Sequence, residues 1–368
     1  MSFPCPPCLR TRRHGPFLMR SGLLLLLCAL GGCTEVDSGI VAVPRTRLTP
    51  EAILGSFSGM NYDPRDLPLA WGADGRIIIA HTEIYSGGDV FSSSCAGSGF
   101  YEIAFDARTV RPIQVGQGFC LGTFEDGVSM HSSGRTAIVS HYAEVNRSRL
   151  SRIDLSTGKI DSLTTGCQIY EEDPAISPDG QWVAAKGLCA NRDEEHYRVY
   201  TARLDGSGYR YVPPPASGSY SQPAWSPDGR KLAMVRSYGG EYDMSISEVW
   251  VMDVEGRNPR LVGRGTAPSW SPAGEWIAFV ANDHRSEESA LRIVAPDGSS
   301  GREVFRNRAR GTFERGWGPQ REGIAFGPLV WSPDGKQLLF PRRFDDGTSV
   351  WRVELGSGAV ARVTRADR

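Results

Sequence analysis

The sequence lacks an excess of charge of either sign: 41 basic side chains stand against 42 acidic ones, and the formal net charge is −1. It therefore has no excess of basic residues of the kind that favours binding to nucleic acid. Charged residues make up 23% and hydrophobic residues 40%, which excludes a largely disordered or collagen-like chain. Glycine and proline are abundant instead, with 43 and 24 residues, and this composition favours turn-rich β structure over helix.

Several short catalytic motifs are also missing from the sequence. It contains no Gly-x-Ser-x-Gly pentad of a serine hydrolase, no phosphate-binding Gly-x-x-x-x-Gly-Lys-Ser/Thr loop and no His-Glu-x-x-His pair. The histidines are irregularly spaced, which gives no metal signature. A zinc site from His81, His131 and His141 remains an alternative to ordinary surface histidines.

The N-terminal apolar run is too short to cross a membrane. Leu23–Leu30 has eight residues, whereas a spanning helix needs roughly 20. The segment before it carries basic side chains and no acid: Arg10, Arg12, Arg13 and Arg20. A basic region followed by a short apolar one predicts a secretory signal peptide over 1–32, with either Met1 or Met19 as the start.

The end of this segment, Leu30-Gly31-Gly32-Cys33, resembles the lipobox of bacterial lipoproteins. The resemblance implies cleavage before Cys33 and attachment of palmitate or a related acyl chain to it. Thr34 follows, where an Asp would resemble an inner-membrane retention signal, and this favours the outer membrane. We expect residues 33–60 to form a tether and N-terminal segment.

One six-residue motif recurs, with Ala-Trp-Ser-Pro-Asp-Gly as its fullest form. Its copies end at Gly75, Gly134, Gly180, Gly229, Gly274 and Gly335. Ser-Pro-Asp-Gly favours a type I turn followed by a left-handed glycine, and short apolar runs flank each copy, as in a β-hairpin. With two further alternating runs per repeat, the sequence predicts an all-β, six-bladed β-propeller of four-stranded antiparallel blades over 61–368.

The Trp-Ser-Pro-Asp-Gly repeat resembles the WD40-like repeats of TolB-type propellers. The same repeat occurs in the propellers of prolyl oligopeptidases and dipeptidyl peptidase IV, so it predicts the fold and not the function. The recurring Trp71, Trp225, Trp270 and Trp331 are expected to pack between neighbouring blades.

Acidic residues gather where three blades begin. Aligning the blades on the motif glycine places acids at the mouth of the central channel: Asp66, Glu125, Asp126, Glu171, Glu172 and Asp173. The matching segments of blades 4 to 6 are neutral. This acidic rim predicts binding of a cation or a basic partner segment, including Ca²⁺ as a candidate ion, although solvated acids on loops are the alternative.

The exported chain would retain an even number of cysteines once Cys33 is acylated. An even number in an oxidising compartment favours disulfides. Loops that share one propeller face predict two pairs: Cys95–Cys120 and Cys167–Cys189. The other pairing considered joins Cys120 to Cys167 and Cys95 to Cys189.

Two functions fit these observations. The first is a non-catalytic envelope lipoprotein, held by its N-terminal lipid and facing the periplasm, whose propeller binds a protein or peptide as a monomer. The second is a metal-assisted lyase, lactonase or other hydrolase at the acidic mouth. We expect the working surface to be the face with the interblade connections, where the longest insertions are predicted: Glu83–Gly99, Ala190–Glu195, Ser237–Ser247 and Gly301–Phe326.

Overall fold

The computed structural model describes residues 62–85, 99–103, 110–115, 127–144, 147–163, 170–188, 196–238, 246–283, 288–308, 323–325, 327–344 and 347–364. The predicted signal peptide, tether and lipidation site therefore lie outside the described residues. So do Glu125, Asp126 and the cysteines at 95, 120, 167 and 189.

The described residues form strands and no helix, and they assemble as six blades. Blade 1 consists of β1 (Tyr62–Trp71), β2 (Ile77–Tyr85), β3 (Gly99–Ile103) and β4 (Val110–Ile113). Blade 2 consists of β5 (Val128–Met130), β6 (Thr136–Glu144), β7 (Arg147–Asp154) and β8 (Lys159–Leu163). Blade 3 consists of β9 (Tyr170–Ile176), β10 (Trp182–Leu188), β11 (Arg198–Arg203) and β12 (Arg210–Tyr211).

The second half of the chain repeats this arrangement. Blade 4 consists of β13 (Ser219–Trp225), β14 (Lys231–Ser237), β15 (Ser247–Asp253) and β16 (Arg260–Arg264). Blade 5 consists of β17 (Thr266–Trp270), β18 (Ile277–Asp283), β19 (Glu288–Val294) and β20 (Gly301–Arg308). Blade 6 has a first strand in two pieces, β21 (Gly323–Ile324) and β22 (Val330–Trp331), followed by β23 (Gln337–Phe344), β24 (Gly347–Glu354) and β25 (Val360–Arg362).

The first strand of every blade contacts the first strands of both neighbouring blades, as expected for strands around a central channel. Each first strand runs toward the motif turn, so its N-terminal end lies on the opposite face. We call that face the connection face, because the chain passes from blade to blade there. The six-bladed all-β propeller predicted from the repeats is confirmed.

The motif turns have the predicted geometry. In blade 4, the amide of Gly229 donates to the carbonyl of Ser226 at 2.8 Å, and Ser226 Oγ donates to Asp228 Oδ1 at 2.6 Å. Gly229 has φ of 68°, a left-handed conformation that glycine adopts without steric cost. Each blade therefore turns between its first two strands through the local chemistry of four residues.

The blades adhere through apolar packing and through the motif tryptophans. Each of the six seams between neighbouring blades has its own cluster of buried apolar side chains. The indole N–H of Trp225 donates to the carbonyl of Ala175 in blade 3 at 2.9 Å, and Trp270 and Trp331 make the equivalent bond to the blade before them. The predicted packing of these tryptophans between blades is confirmed.

The seam between blades 2 and 3 uses other residues, because Ile176 occupies the tryptophan position of blade 3. His131 Nε2 lies 3.0 Å from the carbonyl oxygen of Pro178, and the amide of Ile176 donates to Ser129 Oγ at 3.1 Å. His131 therefore ties two blades together.

The ring closes between blades 6 and 1 by packing. Each of these blades takes its strands from one continuous part of the chain. Ile79 and Tyr101 of blade 1 pack against Leu339 and Val350 of blade 6, and a single parallel bridge joins Arg65 to Thr348.

The expectation that Gly301–Phe326 is entirely an insertion is wrong, because Gly301–Arg308 forms the outer strand of blade 5.

Candidate binding site at the channel mouth

A bulge in the first strand shapes the channel mouth in three successive blades. The pairing register shifts there, and the bulged residue has a left-handed backbone although it is not glycine: Asp173 (φ 49°), Gln222 (φ 49°) and Ala267 (φ 53°). A proline follows each of these residues. Because three blades share this conformation, we attribute it to the propeller fold and not to a function of any single blade.

The bulged residues are linked from blade to blade. The amide of Gln222 donates to Asp173 Oδ2 at 3.2 Å, and the amide of Ala267 donates to Gln222 Oε1 at 2.8 Å. Ala267 has no polar side chain with which to extend this relay. The Asp173 carboxylate is therefore held by the backbone of the next blade.

Beside Asp173, Glu172 forms an ion pair within its own blade. Glu172 and Lys186 are cross-strand partners, and Lys186 Nζ lies 2.5 Å from Glu172 Oε2. The same ammonium lies 4.2 Å from the centroid of the Tyr197 ring, which is a cation–π distance. The side chains of Lys186 and Glu172 are 20% and 13% exposed, so solvent reaches the pair.

The protonation of this group follows from burial and from the balance of charges. Burial raises the pKa of Asp173 to about 6; the positive charge of Lys186 opposes the shift, and Glu172 adds to it. Burial acts to lower the pKa of Lys186, but Asp173 and Glu172 outweigh it and the pKa is raised. Near neutral pH two carboxylates thus share one ammonium, which leaves about one negative charge at the mouth of blade 3.

Glu171 lies on the other side of the strand, in the seam with blade 2. It is fully buried, and Tyr200 Oη donates to its Oε1 at 2.7 Å. Its backbone amide donates to Ser148 Oγ at 2.9 Å, and its carbonyl accepts from Ser140 Oγ at 2.7 Å. Burial raises the pKa of Glu171 to about 7, against the opposing effects of Tyr200 and Arg149.

Asp66 is also buried within its blade. Its Oδ1 lies 2.7 Å from Nδ1 of His81, the cross-strand partner, and the two residues are 6% and 2% exposed. Of the described acids predicted for the rim, Glu172 and Asp173 lie together and reach solvent, whereas Asp66 and Glu171 are enclosed.

Three residues of this region were not singled out from the sequence: Lys186, Tyr197 and Tyr200. An alignment of the second strands of the blades would have identified Lys186, because a lysine at the end of that strand lies opposite the acids at the start of the first strand.

Among the described residues, no group of three or more His, Cys, Asp or Glu side chains is arranged to hold a metal ion. In the same part of the chain, no helix is long and apolar enough to cross a membrane.

The chain has partial sequence similarity to several curated proteins. It is 29% identical over 140 residues to the uncharacterized peptidase YuxL of Bacillus subtilis (strain 168), covering 36% of this chain and 18% of that protein. It is 26% identical over 171 residues to dipeptidyl-peptidase 5 of Porphyromonas gingivalis, covering 44% of this chain and 23% of that protein. The matched region thus spans less than a quarter of each of these relatives. No protein-family model matches the sequence.

Solved structures share the fold. TolB from Acinetobacter baumannii matches with a TM-score of 0.53 at 12% identity, covering 87% of this chain and 70% of that one. The putative TolB from Agrobacterium tumefaciens matches with a TM-score of 0.51 at 18% identity, over 70% and 85% of the two chains. An oligogalacturonate lyase in complex with manganese matches with a TM-score of 0.51 at 13% identity, over 83% and 79%. These likenesses establish a TolB-like propeller fold.

Proposed function

We propose that this chain is a non-catalytic lipoprotein of the bacterial envelope whose propeller binds a protein or peptide partner at the channel mouth. The observation that carries the proposal is the pair of carboxylates at the start of β9. Glu172 and Asp173 are both held in place and partly open to solvent, and one lysine, Lys186, is paired with Glu172. A partner that presents a lysine or arginine side chain would complete the charge balance.

The location of this pair supports binding through the connection face. The first strand of blade 3 begins there, and segments that join blades vary in length while the motif turns on the opposite face are short. Functional contacts concentrate on variable loops held by a rigid scaffold. We place the rest of the predicted rim, Glu125 and Asp126, in the same proposal, together with Asp66 and Glu171 as supporting residues.

The cellular setting belongs to the proposal as well. Acylation of Cys33 would anchor a monomer to the membrane by its N-terminal lipid, facing the periplasm and favouring the outer membrane. The likeness to two TolB structures supports an envelope role only through the shared fold.

An enzyme with a metal-assisted site is the second candidate. Two features favour it: partial similarity to proteins named as peptidases, and the shared fold with an oligogalacturonate lyase that contains manganese. Calcium or another hard cation at Glu172 and Asp173 would fit this candidate, because such ions prefer carboxylate oxygens. A stoichiometric divalent ion in the purified protein, lost in parallel with a hydrolase or lyase activity, would favour the enzyme.

The test is a comparative pull-down from envelope extract. The bait proteins are the unaltered chain, a Glu172→Gln/Asp173→Asn double variant and a control, Glu275→Gln, which removes an exposed acid from the turn face. Asn tolerates the left-handed backbone at 173, so the double variant removes charge with little strain. We expect one envelope protein to be captured by the unaltered and control baits and at least tenfold less by the double variant.

A direct binding measurement between the purified chain and the captured protein then distinguishes specific binding from nonspecific co-purification. The affinity should fall with added salt, because charges at the surface are screened. Equal capture by all three folded baits would refute binding at the channel mouth.

A further inference from the structure

Serine hydroxyls of blade 2 hold the first strand of blade 3 at the seam between these two blades. At the connection-face end, Ser140 Oγ donates to the carbonyl of Glu171 at 2.7 Å, and the amide of Glu171 donates to Ser148 Oγ at 2.9 Å. Farther along β9, the amide of Ile176 donates to Ser129 Oγ at 3.1 Å. Both backbone polar groups of Glu171 are therefore bonded to the neighbouring blade.

The side chain of Glu171 is enclosed in the same seam. It has no exposure to solvent, and its carboxyl group accepts the 2.7 Å hydrogen bond from Tyr200, which is 1% exposed. Leu150 of blade 2 and Tyr200 of blade 3 belong to the apolar cluster that fills this seam. Water therefore does not reach the carboxyl group while the seam is closed.

The surrounding strands offer this carboxyl group little compensation for a negative charge. The residue opposite Glu171 on β10 is Gly187. On β11, Arg198 lies on the same side of the strand as Tyr200, but its guanidinium donates to two backbone carbonyls. In blade 2, β6 and β7 contribute the two serine hydroxyls, and Arg149 on β7 is the charge that acts on Glu171.

Burial therefore governs the protonation of the seam. It raises the pKa of Glu171 to about 7, against the opposing effects of Tyr200 and Arg149. His141 is the cross-strand partner of Arg149, and burial lowers the pKa of His141, so it adds no positive charge near neutral pH. Ionisation of Glu171 places a charge where water is excluded, and such a charge is costly unless it is solvated or fully paired.

We infer that the seam between blades 2 and 3 is a proton-sensitive switch, in which ionisation of Glu171 opens the start of β9. The protonated side chain fits the closed seam, whereas the carboxylate requires water that an opened seam admits. Glu172 and Asp173 follow directly in the chain. Their own bonds, to Lys186 and to the amide of Gln222, lie within blade 3 and toward blade 4. Opening at Glu171 thus releases the acidic mouth from blade 2 and preserves its other bonds.

The opening is local because few bonds have to break. Neighbouring blades are joined here by side-chain hydrogen bonds and apolar packing, whereas the ladder between β9 and β10 lies within one blade. Proteins open in small cooperative units of this kind without global unfolding. The opening itself does not depend on the proposed function, and only its consequence for a partner at Glu172 and Asp173 does.

Hydrogen exchange of backbone amides, followed by mass spectrometry on the purified chain without a partner, tests the opening. The protection of β9, corrected for the intrinsic exchange rate, is compared at pH 6 and pH 8. The internal reference is β17, because Trp270 bridges its seam with blade 4. If the open state returns the pKa of Glu171 to its ordinary 4.5, the open population rises about tenfold between these pH values. We expect the protection of β9 to fall by that factor and that of β17 to stay unchanged.

A variant and a matched control assign the effect to this carboxyl group. Glu171→Gln keeps an acceptor for Tyr200 but cannot ionise, so the protection of β9 should be equal at the two pH values. Glu275→Gln removes an exposed acid from the turn face and should keep the tenfold change. Unchanged protection of β9 in the unaltered chain, or a parallel fall in β9 and β17, would overturn the inference without any variant. The same tenfold change in folded Glu171→Gln would overturn it as well.

Discussion

The phenol of Tyr200 donates a 2.7 Å hydrogen bond to the carboxyl group of Glu171, which has no exposure to solvent. Tyr200 belongs to the third strand of blade 3, and Glu171 lies in the first strand beside blade 2. Burial raises the pKa of Glu171 to about 7. A carboxyl group whose pKa is near neutrality is thus built into the seam of two blades.

The pKa of Glu171 gives the protein a pH-dependent stability. Because the folded-state value lies above the ordinary 4.5, the folded protein binds more protons than the unfolded one between about pH 4.5 and 7. The contribution to stability is complete below pH 4.5 and is lost as the pH rises through 7. The effect of Glu171→Gln on the free energy of unfolding should therefore differ between the two pH values. We expect the variant to be more stable, relative to the unaltered protein, at pH 8 than at pH 4.5, by roughly 3 kcal/mol at most.

Urea unfolding of both proteins at several pH values measures this difference, and other titrating groups cancel in the comparison. Tyr200→Phe is the complementary variant. It removes a donor to a buried carboxyl group and should cost about 1–3 kcal/mol, more at pH 8 than at pH 5. A stability difference for Glu171→Gln that does not vary with pH would contradict the assignment.

The motif tryptophans should contribute to stability through the seams. Trp331→Phe removes the 3.1 Å hydrogen bond to the carbonyl of Ser269 in blade 5 and part of a buried ring. We expect a loss of about 1–3 kcal/mol in the free energy of unfolding. Trp182→Phe is the matched control, because that ring stacks on Arg203 within its own blade and should cost less than about 1 kcal/mol. Equal losses for the two variants would show that the interblade bond adds nothing.

Binding of a cationic partner at the channel mouth should depend on pH through Asp173. Its pKa is raised to about 6, so at pH 5 it is mostly protonated and Lys186 neutralises Glu172 alone. We expect the affinity for the captured partner to be severalfold weaker at pH 5 than at pH 7.5. Asp173→Asn should bind weakly at both values and lose the pH dependence. Calorimetric titration of the partner at the two pH values, with Glu275→Gln as control, measures the effect.

The fold could be predicted because local chemistry is repeated in every blade. The proline, aspartate and glycine of the motif turn specify the geometry around Gly229 without any distant contact. The outer strand Gly301–Arg308 was missed because no motif marks it, and its pairing with β19 is set by a neighbouring strand.

The site was less predictable, because the strand register decides which of its side chains are buried and a bulge interrupts that register at Asp173. A run of three acids at 171–173 resembles a solvated loop in the sequence. In the fold, the left-handed backbone at Asp173 interrupts the alternation of the strand. Before this bulge the strand alternates normally, so Glu171 is buried and Glu172 faces Lys186 on the neighbouring strand. Cross-strand partners of this kind depend on register, which composition does not reveal.

The predicted disulfides can be tested by a peptide map without reduction. The described residues nearest to one pair support it, since Tyr170 and Leu188 are cross-strand partners. Leu188 directly precedes Cys189, and Tyr170 follows Cys167 by three residues. We expect the linked peptides Cys95–Cys120 and Cys167–Cys189, each bridge adding roughly 3 kcal/mol on the entropic account. Linked peptides Cys120–Cys167 would support the other pairing, and free thiols at all four positions would refute both.

Acylation at Cys33 is the prediction on which the cellular setting depends. The segment Leu30-Gly31-Gly32-Cys33 resembles a lipobox, and acyl chains bind membranes with about 0.8 kcal/mol per buried methylene. The Cys33→Ser variant should therefore leave the membrane fraction or accumulate with residues 1–32 still attached, whereas Cys28→Ser, inside the apolar run, should behave as the unaltered chain. Fractionation and intact mass measurement distinguish these outcomes. A Cys33→Ser protein that stays with the membrane and keeps an acylated mature mass would refute the lipid anchor.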